Sequence, residues 1–131
     1  MTEQLDMWDY FEPQTKTTMD MVREFAKITG QEPNPKMSSK LIVEEFNEWF
    51  AEAFDLRPTG YASELKELSD LLYVVYGYAN AKGWNLDEAV RRVHENNVGR
   101  CIQPDGSIKR REDGKIEKNK DYPKVQLEDL V

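Results

Sequence analysis

The sequence predicts an all-α fold, with four helices packed as an antiparallel bundle and then a short hairpin and an irregular tail. Three observations carry that expectation. Apolar residues recur at spacings of three and four through four successive segments, glycine and proline fall between those segments, and beyond Arg100 the same breakers cut the chain into runs too short for long helices. With 131 residues the chain is expected to form one domain, 1–131, whose helical part covers about 16–100 and whose tail covers 101–131.

The first helix is expected over Thr17 to Ile28, where Met21, Val22, Phe25 and Ile28 follow helical spacing, and Gly30 with Pro33-Asn34-Pro35 ends it. The second takes Ser38 or Ser39 as its cap and runs to about Asp55, before Arg57-Pro58-Thr59-Gly60 breaks the chain. The third begins within Thr59 to Ser63 and reaches Ala81, with Lys82 in its last turn and Gly83 as its C-terminal cap. The fourth starts at Asn85 or Leu86, carries Asp87 and Glu88 at its positive end and runs to about Val98. In the tail, Ile108 to Arg111 and Lys115 to Glu117 form the hairpin, turning through Glu112-Asp113-Gly114.

Composition removes several classes of function. The chain is 39% apolar and 33% charged, as expected of a soluble globular protein, and has no apolar run of the roughly 18 residues that a membrane span needs. Met1 to Phe11 carries Glu3, Asp6 and Asp9 without a basic start or apolar centre, so no signal peptide is read there and a cytoplasmic location is expected. Cys101 and His94 are each the only residue of their type, which removes intramolecular disulfides, cysteine zinc sites and multi-histidine metal sites. A net charge of -7 disfavours a nucleic-acid polymer as partner, although hard cations held by carboxylates would let an acidic pocket accept a small polyphosphate.

The acids are grouped. Glu44-Glu45-Phe46-Asn47-Glu48 and Glu67-Leu68-Ser69-Asp70 lie inside the second and third helical stretches, and both Glu45/Glu48 and Glu67/Asp70 are three apart, so each pair projects from one side of its helix. On the second helix Ile42, Phe46, Trp49, Phe50 and Ala53 make a core stripe, beside Leu41, Glu45, Glu48 and Glu52; a solvated acidic flank would explain that second stripe equally well. The third helix is apolar nearly all round, which calls for burial in an assembly and predicts at least a homodimer. Acids facing such an interior must protonate or meet a cation, and neither Leu41 to Leu56 nor Glu67 to Ala81 contains a lysine or arginine. A divalent metal, Mg2+ rather than a dedicated calcium cage, is the simplest neutraliser.

These residues resemble the MazG and phosphoribosyl-ATP pyrophosphohydrolase superfamily of all-α nucleotide pyrophosphatases. The resemblance rests on Glu44-Glu45-x-x-Glu48, then Glu67-x-x-Asp70 with Leu71-Leu72-Tyr73, then Asp87-Glu88-Ala89 and Val93-His94-x-x-Asn97-x-x-Arg100, where lysine is the usual last residue. It spans roughly Ser38 to Arg100 and, more weakly, Asp113-Gly114-Lys115 and Tyr122-Pro123. It implies a four-helix MazG-like bundle, assembled as a dimer or a tetramer made of dimers, that splits a nucleoside triphosphate between its α and β phosphates. Glu45, Glu48, Glu67 and Asp70 would hold Mg2+, with Mn2+ as a substitute, and Glu44 would support them or orient water. Asn97 would bind phosphate or sugar, and Arg100 would keep the positive charge of lysine in a planar fork.

Other readings stay open at this stage. Asn97 also suits a helix end, and Lys82, Arg91 and Arg92 suit either phosphate or solvent. Trp49, Phe50, Phe54, Tyr78 and Trp84 would either stack on a base or form core, and Trp8, Tyr10 and Phe11 would cover the pocket or tie down the N-terminus. The leading substrate is a dNTP, with phosphoribosyl-ATP as the rival. A non-enzymatic helical oligomerisation or regulatory module and an endonuclease are the other classes, the latter disfavoured by charge.

Overall fold

The computed structural model describes residues 16–54 and 60–131. Expectations for Trp8, Tyr10, Phe11 and most of the break after the second helix lie outside these residues. The elements are α1 (Thr18–Thr29), α2 (Pro35–Phe54), α3 (Tyr61–Lys82), α4 (Leu86–Cys101), β1 (Lys109–Arg110), β2 (Ile116–Glu117) and a 3-10 turn at Glu128–Leu130. The fold is all-α with almost no sheet, as the periodicity predicts.

Local chemistry explains the boundaries. Thr17 and Asp20 form a reciprocal cap on α1, each side chain accepting the other's backbone N–H at 3.1 Å, and Gly30 closes the helix in the left-handed conformation. The start of α2 differs from the sequence expectation by about one turn. Asn34 accepts the Met37 N–H at 3.1 Å and Pro35 occupies the first helical position, where a missing N–H costs nothing, so Ser38 and Ser39 lie inside the helix. Gly83 ends α3 at φ 74°, and Asn85 caps α4 by accepting the Glu88 N–H at 3.1 Å. The fourth helix runs three residues past Val98, to Cys101.

α2 packs along α3, the most extensive helix contact among the described residues, while α1 crosses α3 and touches α4. The core sits at the α1 and α3 crossing, where Met19, Val22, Tyr76 and Ala79 are buried and Tyr73, Trp84 and Leu86 pack around them. Trp84 and Leu86 tie the start of α4 to this core, and burial first, then the Asp87 carboxylate, pushes the Tyr76 phenol up. Among the described residues the expected core stripe of α2 is covered only in part, with Ile42, Trp49 and Ala53 half-buried. Phe46 and Phe50 are 46% and 50% exposed, and Leu65, Leu68 and Leu72 of α3 are also exposed.

Past α4 the chain folds back. β1 and β2 pair antiparallel, Lys109 with Glu117 and Arg110 with Ile116, around a turn in which Gly114 has φ 83°. The following segment then straps α4. Arg92 makes a two-pronged ion pair with Asp129 at 2.6 and 2.9 Å and also bonds to the Gln126 carbonyl, and Asn96 donates to the Pro123 carbonyl at 2.7 Å. Tyr122 lies directly over Gly99, so closely that any Cβ at position 99 would collide with its ring and hydroxyl.

That contact sets a test of the strap. Gly99→Ala should displace Tyr122 and weaken docking of residues 119–130 by about 1–3 kcal/mol, read as faster amide exchange there with α2 and α3 unchanged; unchanged exchange in the strap would contradict it. The same strap depends on pH. Arg91 first and then Arg92 hold Glu88 down to about 2, and Arg92 also lowers Asp129. Carboxylates lowered by folding add stability that is complete above their unfolded range, near 4. It is lost as pH falls toward 2, so amide shifts of residues 126–130 should hold steady to about pH 4 and move below it.

Candidate metal centre

α2 and α3 bring Glu45 of the one beside the i, i+3 pair Glu67 and Asp70 of the other. Oxygens of Glu45, Glu67 and Asp70 lie within 4.8 Å of one another. Glu48 and Glu44 are exposed on α2. Burial, then the hydrogen bond to Glu48 and the charges of Glu48, Asp70 and Glu67, raise the Glu45 carboxyl above its ordinary range. Glu45 Oε2 and Glu67 Oε2 are buried with no hydrogen-bond partner.

The sequence reading missed one neutraliser. Lys66, just outside the cation-free run that begins at Glu67, sits 2.7 Å from Asp70 Oδ2 and 3.6 Å from Glu67 Oε1. Its i, i+4 spacing from Asp70 was a visible signal. Among the described residues one ammonium stands against four carboxylates, a deficit of three charges. An octahedral Mg2+ at about 2.1 Å from each ligand sets oxygens about 3–4.2 Å apart, so modest closure of the observed cluster would complete it. The donor set, all hard oxygen with two buried orphans, fits a divalent cation.

A cleft of about 510 Å³ opens from this cluster between α1, the 30–34 loop, α2 and α3, within the size range of small-molecule sites, about 300–1,000 Å³. Glu45 and Asp70 form part of its lining, Met37 and Leu41 add apolar wall, and Asn34 and Asn80 add amide groups. Phe25 and Tyr73, edge to face at 5.9 Å, also line it. These residues were not singled out as pocket residues by sequence, because the cleft exists only once α1 crosses α3.

The remaining expected site residues lie elsewhere. Trp49 is half-buried in an aromatic row with Phe46 and Phe54, and Lys82 lies over the Trp84 ring at 5.4 Å. Arg100 donates to the Asn97 side chain at 2.9 Å, on the last turns of α4. None of Trp49, Lys82, Asn97 or Arg100 lines the cleft, nor do Phe50, Phe54, Tyr78 or Trp84.

Two helices that bring acids together beside an aromatic cleft define an all-α protein whose acidic cluster is compatible with a divalent metal. The sequence pattern described as Phosphoribosyl-ATP pyrophosphohydrolase matches residues 19–97, more than half the chain. The chain belongs to that family, within the MazG-like all-α superfamily. Membership supports an activity of the pyrophosphohydrolase type. No curated protein matches the chain. Among the described residues no helix is long and apolar enough to cross a membrane.

The repulsion at Glu45 makes a stability prediction. For an acid raised by folding, the penalty is absent while it is protonated in both states and complete once pH exceeds the folded-state pKa. In EDTA, Glu45→Gln should therefore raise Tm by a few degrees at pH 8 and by less at pH 4. A variant less stable than wild type at pH 8 would show that Glu45 is instead a favourable structural group.

Proposed function

We propose that this chain is a Mg2+-dependent nucleoside triphosphate pyrophosphohydrolase that releases a nucleoside monophosphate and pyrophosphate, with a dNTP as substrate. The observation that carries the reading is the convergence of Glu45, Glu67 and Asp70, two of their oxygens orphaned, at an aromatic cleft large enough for a nucleoside. Glu45, Glu67 and Asp70, with Glu48 at their exposed edge, would hold Mg2+, with Mn2+ as a substitute. When bound, the metal supplies neutralisation of the triphosphate and acidification of water.

The protein does the rest. Base and sugar enter the cleft against Phe25 and Tyr73, with Asn34 and Asn80 offering amide groups to their polar edges. Water attacks the α phosphorus, its proton passes to Glu48, the bond to the α–β bridging oxygen breaks, and pyrophosphate leaves. Glu44 supports this edge from outside. The exposed apolar residues of α2 and α3 support assembly as a homo-oligomer, in which Asn97 and Arg100 would contact phosphate. A cytoplasmic nucleotide substrate suits this reading. Phosphoribosyl-ATP is the second reading, favoured by the family whose pattern matches the chain.

The test is a panel of dNTPs, NTPs and phosphoribosyl-ATP with Mg2+, following monophosphate and pyrophosphate separately. A dNTP is expected to turn over fastest, and a preference for phosphoribosyl-ATP would select the second reading. Orthophosphate as first product, or no turnover of any member, would overturn the assignment. Asp70→Asn and Glu48→Gln should each cost about 100-fold or more in kcat with helicity kept. Phe25→Ala should raise KM about tenfold with kcat largely retained, through lost stacking and apolar contact; unchanged KM would remove the cleft from substrate binding.

A further inference from the structure

Lys66 is the one basic residue that pairs with the acidic cluster among the described residues, and how it does so is informative. It takes Asp70 Oδ2 and Glu67 Oε1, while Glu67 Oε2 and Glu45 Oε2 stay buried without partners. The ammonium therefore neutralises the rim of the cluster and leaves its interior uncompensated. Its side chain is 66% exposed, on a flexible four-carbon stem, so it can leave Asp70 for water without opening the packing.

We propose that Lys66 is an exchangeable counter-cation of the metal centre, holding Asp70 while the centre is metal-free and yielding it when a divalent ion binds, so that it sets metal affinity. This rests on the metal-centre reading above. An ion among these oxygens would lie about 5 Å from an ammonium still seated on Asp70. Repulsion at that distance in a dielectric near that of water, together with loss of the ion pair, is worth about tenfold in affinity. Lys66 is then a positioning residue, acting on Asp70 and not on substrate. An ammonium freed at the mouth of the centre is also drawn toward the polyphosphate, so the charge surrendered by Asp70 stays within the site.

Isothermal titration with Mn2+ and Mg2+ on the full chain, without nucleotide, tests this. Lys66→Met and Lys66→Gln should bind metal about tenfold more tightly than wild type, and Lys66→Arg, which keeps the charge, should return affinity to the wild-type value. Without metal the two neutral variants should melt below wild type, and saturating Mn2+ should raise their Tm by more than it raises that of wild type. Neutral variants that bind metal equally or more weakly would overturn the inference while leaving the metal centre intact. Failure of every protein, wild type included, to bind either ion would overturn the metal centre and this inference together.

Discussion

Glu45, with Glu48 beside it, lies against Glu67 and Asp70 across the most extensive helix contact among the described residues, and a single lysine meets that concentration of negative charge. Carboxylates this close are normally separated by water or paired one to one. Here the helix register keeps them together, since rotating α2 to release Glu45 would also withdraw Leu41 and Ile42 from partly buried positions. Leu41 and Ile42 thus help hold the acids where they repel, an arrangement compatible with a divalent cation. The aromatic cleft gains meaning from the same constraint, because it starts where the charge is greatest.

The other half of the molecule is organised differently. α4 is attached to the core at its beginning, through Trp84 and Leu86, and held along its length by the chain that follows it. Its contacts are polar and specific where those of α1 and α3 are apolar. Asn97 and Arg100 therefore belong to a part of the protein whose position depends on the strap as much as on the core, and neither lines the cleft.

How much of this was legible in sequence depended on range. Glu45 with Glu48 and Glu67 with Asp70 could be placed on helix faces because a period of about 3.6 residues is local information. Gly30, Gly83 and Asn85 were readable for the same reason, and so was the hairpin turn at Gly114. Pro33-Asn34-Pro35 reads as a stop for the helix before it, yet Asn34 and Pro35 start the helix after it; only the Met37 hydrogen bond distinguishes the roles. The cleft needed the crossing of α1 over α3, which no short window contains, so Phe25 and Tyr73 looked like ordinary apolar positions. Phe46 and Phe50 read as part of a core stripe yet are exposed among the described residues, because periodicity marks an apolar face without giving the surface that covers it.

The seat of Tyr122 on Gly99 has a meaning for descent. A ring that occupies the volume of a missing side chain ties two distant positions to one another, so among descendants of this chain the glycine can vary freely only after the aromatic has gone. Loss of the tyrosine first would open the helix surface to larger residues, and each larger residue would then bar the ring's return. The pair works as a ratchet, and a lineage that has passed through it would carry its last thirty residues along a different path over the same four helices.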